Sequence, residues 1–137
     1  MAQIDKPSLH FNTKLYTGNA GTNAITGVGF QPDWVWLKRR DGTGNHNLYD
    51  VVRGVTKYLE SSSTAPEQTQ SYGLTAFGTD GFTLGSNTNM NGNGQSFVSW
   101  NWKAGNSSGS SNGNGSITST VSANTTAGFS IVKWTGN

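Results

Sequence analysis

An antiparallel all-β sandwich is the fold predicted from this sequence, on three observations. Gly, Ser, Thr and Asn make up about half of the chain, a composition of turns and small strand-tolerant residues that helical proteins do not have. Five Trp, four Tyr and six Phe supply bulk that the modest aliphatic content lacks, so aromatics must do most of the burying. Apolar residues also recur in short alternating runs punctuated by Gly, Asn, Asp and Pro. At 137 residues the chain has room for one core of ordinary size.

The segments follow in chain order. His10 to Thr17 alternates loosely and ends in a Gly-Asn turn, which predicts a first strand; Ala24 to Val28 predicts a short second one. After the Gln31-Pro32-Asp33 turn, Trp34 to Lys38 carries apolar side chains on both faces, as a central strand covered on both sides does. Leu48 to Leu59 has helix-like spacing, but Gly54 and the β-branched Val51, Val52, Val55 and Thr56 favour short strands. Thr64 to Glu67 has the spacing of a capping box with no apolar run behind it, so at most one helical turn is predicted.

Leu74 to Phe77 and Gly81 to Gly85 read as a hairpin turning at Thr79-Asp80. Ser86 to Gln95, with Asn at 87, 89, 91 and 93, reads as a solvated polar loop. In Phe97 to Lys103, Val98, Trp100 and Trp102 share one face and Ser99, Asn101 and Lys103 the other. The tryptophan face is predicted to be core, as are Trp34 and Trp36, and the other face wetter. The domain reading is a sandwich body over 1–104, a Gly/Ser/Asn linker over 105–115, flexible by composition, and a C-terminal tail over 116–137. Ser116 to Ser122 and Gly128 to Trp134 are strand-like there.

The tail carries an internal match. Phe129-Ser-Ile-Val-Lys-Trp-Thr-Gly-Asn137 aligns without gaps on Phe11-Asn-Thr-Lys-Leu-Tyr-Thr-Gly-Asn19, a repeat period of 118 residues. On this match the tail strand is predicted to lie in a sheet, of its own subunit or a partner's, with Phe129, Ile131 and Trp134 as its assembly residues and Trp134 buried.

Charge is sparse: 12% of residues, a net +2 and a pI near 9.0. Without a basic stripe, nucleic acid is not an expected partner. Lys38-Arg39-Arg40 reads as the exposed end of a strand before the Asp41-Gly42 turn. With no cysteine, neither a disulfide nor a thiolate metal site exists. Met1 to Lys6 lacks the apolar run of a signal peptide, and no segment approaches the ~20 apolar residues of a membrane span. A soluble protein made in a cytoplasm, with no membrane insertion, is expected.

Four motifs, Gly29-Phe-Gln-Pro-Asp-Trp-Val-Trp-Leu-Lys38, Leu48-Tyr-Asp-Val-Val-Arg-Gly54, Asp80-Gly-Phe-Thr-Leu-Gly85 and Val98-Ser-Trp-Asn-Trp-Lys-Ala-Gly105, resemble a domain recurring in tail-fibre-like virion structural proteins of marine tailed phages and cyanophages. The resemblance spans most of residues 9–105. It implies a jelly-roll or concanavalin-like (lectin-like) sandwich displayed on a phage particle, and brings no catalytic or ligand residues. In longer relatives the Phe129 to Asn137 motif resembles the opening of a following lectin-like repeat.

Site chemistry is thin. His10 and His46 are the only imidazoles, and no nucleophile-elbow motif accompanies them. Asp33, Asp41 and Asp80 read as turn residues rather than a glycosidase pair. Asp41 to Asn47 offers one carboxylate, too few for a calcium site, so no enzyme activity, metal or cofactor is expected. Asp50 and Arg53 read as a local ion pair. For glycan binding, the candidates are Tyr49, Tyr58 and Tyr72 with Asn45 and Asn91. The function expected is a virion component, acting as a homo-oligomer or through attachment to other virion proteins, in a tail-fibre-like or capsid-decoration role; host-surface glycan binding is the alternative.

Overall fold

The computed structural model describes residues 4–137; the part of the leader reading that falls on Met1 to Gln3 lies outside them. After a 3-10 turn at Pro7–Leu9 come β1 (Phe11–Thr17), β2 (Asn23–Ile25), β3 (Trp34–Arg39), β4 (Asn47–Asp50), β5 (Lys57–Glu60) and β6 (Gln68–Thr69). β7 (Leu74–Gly78), β8 (Gly81–Leu84), the one-turn helix α1 (Thr88–Asn91), β9 (Ser96–Trp102), β10 (Ser110–Asn112), β11 (Ser119–Asn124) and β12 (Phe129–Trp134) complete it. Every strand pair is antiparallel, and the molecule is an all-β sandwich.

Its central sheet has the order β1-β9-β3-β4-β5-β6. A three-stranded sheet, β2-β8-β7, packs on one face, where Val35, Leu37 and Tyr49 meet Ile25, Leu74, Phe82 and Leu84. Burying each such side chain contributes about 1.5–3 kcal/mol. The third sheet, β10-β11-β12, covers part of the opposite face, with Ile131 and Phe129 against Val51, Ala104 and Trp34. β3 is the doubly covered central strand its sequence predicts, because alternation sends Val35 and Leu37 to one layer and Trp34 to the other. The 74–85 hairpin turns at Thr79-Asp80, with Gly78 opposite Gly81.

Four sequence readings are corrected. The tryptophans of β3 and β9 lie on the outer face of the central sheet and are half-buried, whereas Ser99 and Asn101 are buried. Asn101 Nδ2 donates to the Asn12 carbonyl at 3.1 Å and to Ser99 Oγ at 3.0 Å, and Asn12 Nδ2 donates to the Val28 carbonyl at 3.0 Å. At that end an irregular segment closes the inner face, and its backbone needs polar partners. The 105–115 linker is structured: Ser110–Asn112 pairs with β11, and the Gly105 amide donates to Ser122 Oγ at 3.1 Å.

The Ser86 to Gln95 loop is an internal clasp rather than a solvated loop. Asn87 caps α1, accepting from the Asn89 amide at 2.8 Å, and Asn87 and Asn91 are buried. Trp134 is 62% exposed, not buried. Side chains alternate along a strand, so with Phe129 and Ile131 facing the central sheet, Val132 (41% exposed) and Trp134 on β12 face away.

Candidate functional site

Register builds an aromatic surface on the outer face. Phe11, Trp102, Trp34 and Asp50 form one row across β1, β9, β3 and β4; Thr13, Trp100, Trp36, Leu48 and Leu59 form the next. The first row is a run of close ring contacts: Phe11 lies tilted against Trp102 at 4.7 Å, Trp102 tilted against Trp34 at 4.6 Å, and Phe129 of β12 stacked over Trp34 at 5.9 Å. In the second row Trp36 meets Trp100 edge-on at 5.5 Å, and the Trp36 indole N–H donates to His46 Nδ1 at 2.9 Å.

Beside β12 this surface opens into a cleft of about 320 Å³ lined by Trp34, Leu48, Leu59, Phe129, Ile131 and the Asp50–Arg53 pair. Its walls are predominantly apolar. β12 is an edge strand of its sheet, so the cleft runs below a row of backbone groups without a neighbouring strand. The pair at the rim is the one read from sequence: buried Asp50 accepts from Arg53 Nη1 and, at 2.8 Å, from the Arg53 amide, and Arg53 Nε lies 3.2 Å from Glu67.

The proposed glycan residues are not brought together. Tyr49 and Tyr58 are buried and stacked on each other at 5.3 Å, so neither offers a ring face to a ligand; this corrects their candidacy. Burial raises the hydroxyl pKa of both above the ordinary tyrosine value. Asn91 is likewise internal: its Nδ2 faces the carbonyls of Gly21 at 2.8 Å and Gly85 at 2.7 Å, and its Oδ1 accepts from the Asn19 amide at 3.0 Å and Asn23 Nδ2 at 2.8 Å. Tyr72, 52% exposed, and the exposed Asn45 keep their access. Of the assembly residues, Phe129 and Ile131 pack inward and Trp134 points outward.

The three turn aspartates do long-range work. Buried Asp33 accepts through Oδ2 from the amides of Ala104 at 2.7 Å and Asn106 at 2.8 Å, which pins the start of the third sheet. Asp80 accepts from the amides of Gly29 and Gly27, and these hold its carboxyl below the usual range. Asp41 is lowered by Arg39 and then by the Ser96 amide. Among the described residues no group of three or more acids and histidines is placed to hold a metal ion, and no helix is long and apolar enough to cross a membrane. The aromatic surface was the feature missed from sequence. Its signal was present: in Trp34-Val-Trp36-Leu and Trp100-Asn-Trp102 the tryptophans are two apart, hence on one face.

The model of a domain of unknown function, DUF7483, matches residues 6–137, and the chain belongs to that family. No curated protein and no solved structure matches it.

Proposed function

We propose that this DUF7483 chain is a structural module of a phage particle, working by association with copies of itself or with other virion proteins rather than by catalysis. The phage setting comes from the resemblance of the four motifs. The association reading is carried by one observation: the edge strand β12 presents exposed Val132 and Trp134 above an apolar cleft. An open, apolar strand edge is the feature by which sheets recruit further strands. Both histidines and four of the five aspartates are already engaged. His46 accepts from Trp36, His10 meets Asn124 at 3.0 Å, and Asp33, Asp41, Asp50 and Asp80 hold backbone or arginine.

Light scattering at tens of micromolar tests it. The chain is expected to run as an oligomer, and the double substitution Val132→Lys with Trp134→Lys, at positions outside its own core, to run as a monomer that still melts cooperatively. A chain that is monomeric with or without the substitutions overturns the reading.

Host-surface glycan binding is a second reading, moved from the tyrosines to Trp36 and Trp100. Half-buried indoles beside His46 suit the apolar face of a sugar ring. Saccharide titration that quenches tryptophan emission, lost in Trp36→Ala, supports it; no response across a glycan panel removes it.

A further inference from the structure

We infer that β12 is a second copy of β1, built to serve as the first strand of another sandwich of this same fold. This rests on the association reading and names the partner. Three observations converge on it.

First, the match of Phe129–Asn137 to Phe11–Asn19 falls on strands in both places, β12 and β1. β1 pairs along its whole length with β9, from Phe11 opposite Trp102 to Thr17 opposite Ser96. The same register on β12 sets Phe129 opposite the Trp102 position and Ile131 opposite the Trp100 position of an incoming β9-like strand. Side chains of paired residues share a face. The incoming indoles would therefore point, like Phe129 and Ile131, into the apolar cleft beside β12.

Second, the match explains which side chains are exposed. Tyr16 of β1 faces the core, stacked on Phe97 at 5.3 Å, with its hydroxyl donating to the Met90 carbonyl at 2.7 Å. Trp134 occupies the Tyr16 position, and Val132, two residues before it, shares its face. Both are exposed here; in a second sandwich Trp134 would be core and Val132 would take the half-buried place that Lys14 has on β1.

Third, a glycine lacks a local reason. At Gly18 a side chain is impossible, since its Cβ would lie 2.2 Å from the Gly92 carbonyl oxygen. The equivalent Gly136 has nothing within 4 Å of that position. Its absent side chain makes sense where a second 91–95 clasp closes over it, as the first closes over Gly18 through the Gly18 amide's bond to the Gln95 carbonyl at 2.9 Å. Between identical chains the engagement would proceed by exchange, β12 of one copy replacing β1 of the next.

The test extends the chain. Residues Ala20–Gly105 are appended directly after Asn137, giving a second body whose only first strand is β12; a control appends Phe11–Gly105, which brings its own. In the first extended chain the appended body is expected to fold, the β12 amides to gain hydrogen-exchange protection over the 137-residue chain, and Trp134→Lys to unfold the appended body alone. An appended body that stays unfolded, whether or not the control folds, overturns the inference. So does one that folds without protecting β12 or tolerates the lysine at 134. The association reading fails separately, by a monomeric chain in light scattering.

Discussion

The ring of Phe129 lies nearly parallel to that of Trp34, 5.9 Å away at an interplanar angle of 17°, and this stack joins the third sheet to the central one. Removing it is expected to matter where removing the larger but exposed Trp134 does not. Phe129→Ala forfeits a half-buried ring and its stacking, about 2–3 kcal/mol against the 3–5 of a fully buried aromatic. Trp134→Ala should stay within about 0.5 kcal/mol. Thermal melts of both variants, at concentrations dilute enough for the chain to be monomeric, decide it; equal losses would mean that Trp134 is buried in the free chain.

Asp33 is the other fastening of the third sheet, and its effect should be local. Asp33→Ala leaves the Ala104 and Asn106 amides without their acceptor, and orphaning the buried Ala104 donor alone costs about 1–3 kcal/mol. Limited proteolysis should then cut within 105–118 well before the central sheet unfolds, while the native chain resists there. Unchanged cleavage would show that β10–β11 pairing alone holds this segment.

Strand positions were largely legible because period-two alternation and Gly/Asn/Asp punctuation are local signals: β3, β9 and the 74–85 hairpin follow them closely. What composition could not reveal is which small polar residues meet a distant partner. Asn91 and Asp33 look like loop residues in a Gly- and Asn-rich chain, yet each becomes internal through bonds to residues about seventy positions away. The linker misled for the same reason, since its ordering comes from Asp33 and Ser122, not from its own sequence. Trp134 misled differently: its hydrophobicity pointed inward, but its phase relative to Phe129 and Ile131 already placed it on the opposite face.

Asn91 lends itself to a near-isosteric test. Asn91→Asp keeps the shape but replaces the amide by an acceptor facing the Gly21 and Gly85 carbonyls and Asn19 Oδ1. A buried charge set against three oxygens should cost more than Asn91→Ala, itself expected at about 3 kcal/mol from the unpaired groups left behind. Chemical denaturation should rank native, Ala and Asp in that order; an Asp variant as stable as native would show the clasp open to water.

Alkaline stability should be limited by the core tyrosines. Burial raises the hydroxyl pKa of Tyr16 well above the ordinary value; it does the same at Tyr49, where the charges of Tyr58 and Glu60 add to it. An unfolded tyrosine ionises near pH ~10, so these groups favour the folded state through their neutral form. Their contribution is fully present below that pH and is lost as pH rises through it toward the raised folded values. Stability is therefore expected to hold to about pH 9 and fall steeply above 10, with phenolate absorbance appearing together with unfolding. The two residues are separable. The Tyr49 hydroxyl lies beside the Leu74 backbone without a well-formed hydrogen bond, so Tyr49→Phe should be nearly neutral at pH 7 and move the alkaline transition upward. Tyr16→Phe should do the same at high pH but lose about 1 kcal/mol at pH 7, because its hydroxyl donates to the Met90 carbonyl. Phenolate absorbance that rises fully while the chain stays folded would show that water reaches both rings.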